Sequence, residues 1–220
     1  MKDFDFDALF FRMSSLLKDM GAPLPSVSLI AEEDNNPYRI LISTLISLRT
    51  RDEVTLSASK RLFEKAKSLY DIEAMSKEEI EALIKPAGFY RRKAEDIKKI
   101  AKIINSEYNG EIPSDLDKLL ELPGVGIKTA SLVLNLGFGI DAVCVDCHVH
   151  EIANRLGWVD TKTPEETEKE LRRILPQRFW IPLNELLVRY GQHVCLPISP
   201  LCSKCTEREV CPRIGVQKSR

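Results

Sequence analysis

An all-α fold follows from three observations. Apolar residues recur with helical period through nearly every segment, capping residues stand at segment ends, and strand signals are almost absent. In chain order, Leu9, Phe10, Met13, Leu16, Leu17 and Met20 fall on one face of a first helix. Tyr38, Leu41, Ile42, Leu45 and Ile46 do the same in a later stretch. Ser76 with Glu79 has capping-box spacing and starts another helix. Ala94, Ile97, Ile100, Ala101 and Ile104 form a further stripe, and Gly110 suits a stop after it. The one β-rich patch is Val143 to Val145. Thr163 with Glu166 repeats the capping-box spacing, and Pro164 suits a first helical position. The last periodic stretch, around Ile181 to Tyr190, runs into a Pro- and Cys-bearing tail from Cys195 that no periodicity explains. About ten helices are expected, with no repeat and no low-complexity tract.

The 220 residues, 44% hydrophobic and 30% charged, suffice to bury a core as one large domain or two small ones. Chains held open by charge and collagen-like chains are excluded, since 10 Gly and 12 Pro are near ordinary usage and show no period. The longest apolar reach, Ser131 to Val145, is broken by Asn135 and Asp141 and falls short of the ~20 residues a membrane helix needs. No membrane span is expected. An export signal would open on basic residues, whereas Asp3, Asp5 and Asp7 stand here, so the expected location is the cytoplasm, with nucleoid association in a prokaryote.

The net charge of -1 argues neither for nor against a polyanionic partner, but its distribution is uneven. Met1 to Pro37 has three basic and seven acidic residues, Lys85 to Lys102 seven basic and two acidic, and Leu186 to Arg220 six basic and two acidic. A nucleic-acid binder needs such a local positive face rather than a high overall charge. Charge alone also fits ordinary solvated helix surfaces.

Four of the six cysteines, Cys195, Cys202, Cys205 and Cys211, share the spacing C-x6-C-x2-C-x5-C. In a reducing compartment so tight a group binds metal more often than it forms disulfides. Four thiolates suit either a structural zinc or a 4Fe-4S cluster, and the spacing by itself leaves both open.

Leu122-Pro123-Gly124-Val125-Gly126-Ile127-Lys128-Thr129-Ala130 lies between two helical patterns. Gly124 and Gly126 let the backbone turn tightly and bring bare N–H groups to the mouth of the second helix, an anion site suited to a DNA phosphate. Lys128 falls in the first turn, where helix dipole and desolvation disfavour an ammonium. A neutral lysine is a Schiff-base nucleophile, a charged one a phosphate ligand. Eighteen residues on, Asp146 interrupts an apolar run and suits a helix N-cap, a role compatible with also facing a pocket.

With L-P-G-V-G-x-K, an aspartate in V-D-x-H-V and the C-terminal cysteine spacing together, the chain resembles the endonuclease III family of the helix-hairpin-helix DNA glycosylase superfamily, in its iron-sulfur branch. The likeness covers nearly the whole chain and extends to Arg155-Leu156-Gly157-Trp158 and Tyr190-Gly191-Gln192. It implies two helical domains with DNA in a cleft between them. One is a six-helix domain with the helix-hairpin-helix at about residues 30 to 140; the other, residues 1 to 29 and 141 to 220, holds one 4Fe-4S cluster on Cys195, Cys202, Cys205 and Cys211. The activity implied is that of a bifunctional DNA glycosylase and AP lyase of base excision repair. It excises oxidised pyrimidines and nicks abasic sites in double-stranded DNA by β-elimination, as a monomer. Lys128 resembles the nucleophile that attacks C1', and Asp146 the carboxylate that helps deprotonate the lysine and stabilises positive charge on the sugar. Gly124 and Gly126 match the phosphate-binding hairpin. Phe89 falls where the family has a bulky wedge residue, and Arg91, Arg92 and Lys93 follow as phosphate ligands.

The chain departs from the family pattern at four points. Arg49 stands where a Gln commonly fills the space left by the flipped base, and Cys147 replaces a usual Thr with Cys144 near it. Cys144, Cys147, His148 and His150 would make a second metal group only by obstructing the aspartate. Leu196 to Leu201 has no basic residue, so contact of the cysteine loop with DNA falls to Lys204 and Arg208. The rival readings are a mismatch thymine or uracil glycosylase, favoured by Arg49, and a non-catalytic module that binds DNA structure, opposed by Lys128 with Asp146.

Overall fold

The computed structural model describes residues 4–220. Its helices are α1 (Phe6–Asp19), α2 (Ser26–Glu33), α3 (Pro37–Ser47), α4 (Asp52–Lys65), α5 (Leu69–Ala74), α6 (Lys77–Ile84), α7 (Tyr90–Glu107), α8 (Leu116–Leu120), α9 (Ile127–Phe138), α10 (Cys147–Arg155), α11 (Pro164–Ile174) and α12 (Trp180–His193). Single 3-10 turns follow at Gln177–Phe179 and Cys202–Lys204. No strand occurs among the described residues, and no helix is long and apolar enough to cross a membrane. Twelve α-helices exceed the number the apolar period suggests, because α5 and α8, at six and five residues, are under two turns long. The β-rich Val143 to Val145 is extended but pairs with no neighbour in a ladder. It is buried, and Asn184 Nδ2 donates to the Cys144 carbonyl at 3.3 Å.

The chain divides into two compact units, one of Ser26–Ala142 and the other of Met1–Pro25 with Val143–Arg220. In the first, α3 is buried on every side from Ile40 to Ile46, as expected of a helix apolar all round. Helices α2, α4, α7 and α9 pack against it. The hydroxyls of Ser43 and Thr44 escape desolvation by donating back to the Ile40 carbonyl at 3.2 and 2.6 Å. The stripe Ala94, Ile97, Ile100, Ala101 and Ile104 of α7 is wholly buried. Gly110, at φ +80°, brings its N–H back to Ile104 after the helix ends. Ser76 and Glu79 form the full capping box of α6.

In the second unit, α1, α10, α11 and α12 enclose one apolar core. Phe10 and Phe179 stack at 4.4 Å between ring centroids, and Phe6 meets Trp158 edge-on at 5.3 Å. Of the expected α1 face, Leu9, Phe10, Met13 and Leu17 are buried, whereas Met20 at the helix end is exposed. Arg12 grips the buried Glu207 with two hydrogen bonds of 2.9 and 2.6 Å, tying α1 to the cysteine-bearing tail. Thr163 caps α11, but Glu166 reaches back to the N–H of Lys162 rather than to Thr163, so the expected box is only half formed.

Candidate functional site

In the first unit, α8 is capped by Asp115, ends at Glu121 and passes through Leu122 to Val125 into α9, with Val125 N–H donating to the Leu122 carbonyl at 3.1 Å. Gly124 sits at φ +75°, where a side chain is strained. Gly126 is the N-cap of α9 and, being glycine, supplies no side-chain cap to the first turn. A Cβ there would meet nothing. The backbone can therefore receive an anion closely, with the positive end of the helix dipole behind it. Lys128, half-buried, is the second residue of α9.

The same unit carries the DNA-contact candidates Arg49, Phe89, Arg91, Arg92 and Lys93. Arg49 and Phe89 are exposed, both in the left-handed region at φ +51° and +55°, with the Arg49 guanidinium 5.6 Å from the centre of the Phe89 ring. Phe89, 64% exposed, is therefore not a core residue. Arg91 and Arg92 are exposed, Arg92 pairing loosely with Asp96 at 3.8 Å. Lys93 overturns the expectation of three consecutive phosphate ligands. It is buried, and its Nζ donates to the carbonyls of Ile46 and Leu48, both at 2.6 Å, and to Thr50 Oγ1 at 2.9 Å. Burial lowers its ammonium from the ordinary lysine range to about 8. The signal was present in the sequence, since Lys93 falls in register with Ile97, Ile100 and Ile104 on the apolar stripe of α7.

In the second unit, the buried run Val143 to Val145 delivers Asp146 to the start of α10, where its Oδ1 accepts from the Val149 N–H at 3.0 Å. Asp146 is 8% exposed, and the N-cap role expected of it is realised. Next to it Cys147 is exposed, while Cys144 is buried. His150 is engaged with Thr167 at 2.6 Å, and His148 packs so closely on Gly191 that a Cβ there would overlap its ring. Among the described residues no three His, Cys, Asp or Glu side chains close on one point as a single metal ion requires.

None of the six cysteines is in a disulfide, and Cys195, Cys202, Cys205 and Cys211 line one cavity with Tyr190 and Arg155. Cys195 follows the end of α12, its N–H on the Tyr190 carbonyl at 2.7 Å, and Cys202 opens a 3-10 turn that Cys205 closes. Arg155 was singled out only within a likeness, yet it organises the loop that begins at Cys195. Its guanidinium donates to the carbonyls of Cys195, Leu196 and Pro197 at 3.2, 2.8 and 2.9 Å, and to Cys195 Sγ at 3.4 Å. Tyr190 hydroxyl lies 3.2 Å from Cys205 Sγ. Burial pushes the Cys195 thiol up to about 11 and raises those of Cys205 and Cys211 as well. The polar side chains that line this cavity are thus sulfur donors with guanidinium and hydroxyl groups around them, a set suited to an anionic thiolate-bound cluster and devoid of the carboxylates a hard cation would need. Lys204 and Arg208 are exposed on the same tail, Arg208 beside Glu209 at 2.8 Å.

A family model described as the HhH-GPD superfamily base excision DNA repair protein matches residues 42–177. Endonuclease III of Thermotoga maritima is 48% identical over 179 residues, 81% of this chain and 84% of that protein. A solved trapped endonuclease III–DNA covalent intermediate superposes with a TM-score of 0.81 at 31% identity, over 96% of this chain and 97% of that one. A thermostable thymine-DNA glycosylase superposes with a TM-score of 0.82 at 25% identity, over 94% and 95%.

Proposed function

The chain belongs to the HhH-GPD superfamily of base excision DNA repair proteins, and from that membership we infer a DNA glycosylase with AP lyase activity that excises oxidised pyrimidines from double-stranded DNA. The observation that carries this reading is the start of α9, where the N-cap is a glycine that supplies no side-chain cap and Lys128 lies in the same turn. A DNA phosphate accepts from the backbone N–H groups of that turn, which fixes the strand beside the lysine. The target nucleotide leaves the stack, because its C1' is out of reach within a duplex.

Lys128 Nζ, as the free amine, attacks C1' and the C1'–N bond breaks, its electron pair and a proton departing with the base. Asp146, as a carboxylate, stabilises positive charge developing on the sugar, then takes the proton shed by the lysine and passes it to the departing base. The sugar opens to a Schiff base on Lys128. Loss of a C2' proton then expels the 3' phosphate by β-elimination, and water releases the enzyme. Phe89 wedges into the gap, Arg49 meets the orphaned base, and Arg91, Arg92 and Lys204 hold phosphates. One 4Fe-4S cluster on Cys195, Cys202, Cys205 and Cys211 supplies structure and no redox step, since neither bond cleavage transfers an electron.

Arg49 and the likeness to a thymine-DNA glycosylase favour a second reading, in which mismatched thymine or uracil is the base removed. Borohydride reduction tests the first. On a duplex with an oxidised pyrimidine or an abasic site it should trap a covalent adduct, which Lys128→Gln abolishes while DNA binding survives on the backbone amides. An adduct formed by Lys128→Gln at the wild-type rate would move the nucleophile elsewhere, and excision confined to mismatched thymine or uracil would favour the second reading.

A further inference from the structure

The buried ammonium of Lys93 has no role in the chemistry above, and its three acceptors lie at the end of α3 and in the turn after it, which carries Arg49. Helix α3 ends at Ser47, so the carbonyls of Ile46 and Leu48 have no helical partner; a cation at that C-terminus satisfies both and opposes the negative end of the dipole. The third acceptor links two segments. Thr50 Oγ1 receives Lys93 Nζ at 2.9 Å and also the N–H of Gly88 at 3.0 Å, and its own hydroxyl proton turns to the Leu48 carbonyl at 3.3 Å. Gly88 lies so close to the Arg49 carbonyl that a Cβ would overlap it. Immediately beyond, Arg49 and Phe89 both adopt left-handed backbone, a conformation that non-glycine residues keep only where their surroundings impose it. Their side chains emerge together, guanidinium over ring.

We propose that Lys93 is the positioning residue that clamps the turn after α3 to the turn before α7, so that Arg49 and Phe89 engage DNA as one rigid element. This rests on the reading of Arg49 and Phe89 as DNA-contact residues. The ammonium sits behind the element, out of reach of phosphate, and its geometry explains why a lysine rather than an apolar residue occupies this place in the α7 stripe. Three convergent donors are what two orphan carbonyls and one shared hydroxyl require.

The test compares two substrates. A lesion in a duplex needs the wedge, whereas an abasic site in a single strand needs none. Lys93→Met keeps the length and apolar stem but removes every donor. It should slow excision from the duplex by about tenfold or more, since misplacement by ~1 Å costs up to ~100-fold. Borohydride trapping on the single-stranded abasic oligonucleotide should stay near the wild-type rate. Thr50→Ala, which cuts the shared link and leaves the carbonyl caps, should show the same selective loss to a smaller degree and carries the test if Lys93→Met does not fold. Phe89→Ala combined with Lys93→Met should lose less than the two single losses added together, the remainder being the share carried by Arg49. Equal losses on the two substrates, or additive losses in the double variant, would overturn the proposal and reduce Lys93 to a stabilising residue. A loss in Phe89→Ala with none in Lys93→Met or Thr50→Ala would overturn it and leave the wedge reading standing. No loss in either Phe89→Ala or Arg49→Ala would remove that reading, and the proposal with it.

Discussion

Asp146 is both a helix cap and the proposed catalytic carboxylate, and two substitutions separate the roles. Its Oδ1 accepts from the Val149 N–H at 3.0 Å, and α10 carries Val149, Ile152 and Ala153 into the core of its unit. Asparagine caps about as well as aspartate, so what Asp146→Asn loses at the start of α10 is the interaction of charge with the helix dipole, ~0.3–1 kcal/mol. Asp146→Ala also loses the cap, typically ~1 kcal/mol, and leaves a buried donor without that acceptor, so its total should be ~2–3 kcal/mol. At ~2–4 °C per kcal/mol for a chain of this size, thermal melts should fall by about 1–4 °C for Asn and about 4–12 °C for Ala. Catalysis should divide differently. Both variants lack the negative charge that stabilises the sugar cation, and removing one such stabiliser costs ~100- to 1000-fold. Single-turnover excision, measured well below both melting temperatures, should therefore drop by similar factors in the two. If excision instead followed stability, with Asn near wild type and only Ala impaired, Asp146 would be a cap alone and the catalytic carboxylate would lie elsewhere.

Arg49→Gln should alter relative rates between lesions or opposite bases more than it alters stability, because the side chain is exposed; equal changes on every duplex would mark a generic phosphate contact. Purified protein should be yellow-brown, and Cys202→Ser should bleach it and lower its melting temperature, since the chain from Cys195 onward is organised around the thiols. A colourless, fully active protein with stoichiometric zinc would refute the iron-sulfur assignment. Hydrogen bonds from the Ser76 backbone and hydroxyl hold the Glu79 carboxyl below its ordinary range, so its share of stability is complete above pH ~4.3 and is lost as pH falls through the folded value. Glu79→Gln, which retains the box, should flatten the acid limb of melting temperature against pH; an unchanged limb would assign it to other carboxylates.

The elements legible in the sequence are those long enough to show their period. The stripe of α7 spans three turns and is buried residue for residue, whereas α8 must be found from its cap, Asp115 on the N–H of Lys118 at 3.0 Å. Helix α5 had a readable sign of the same kind, since Ser68 and Asp71 stand at capping-box spacing and form the box. Features confined to one segment were equally legible: the hairpin glycines make the tight turn before α9, and the four closely spaced cysteines line one cavity. What pattern could not supply is which distant group each side chain meets. Arg155 finds three carbonyls and a sulfur some forty residues away, and no local rule anticipates that.

Lys93 stands between these cases. Arg91, Arg92 and Lys93 read as one basic run, yet a helix turns each successive side chain by ~100°, so three neighbours cannot all face one partner. Arg91 and Arg92 are exposed and Lys93 is buried, as its register with Ile97 and Ile104 requires. A cation on an apolar stripe implies acceptors waiting in the interior, because a buried charge without them would not persist. The unpaired carbonyls at a neighbouring helix's end are the commonest such acceptors, and here they belong to the turn that presents Arg49. Register and charge read together thus point to acceptors behind the α7 stripe, where the Ile46 and Leu48 carbonyls lie.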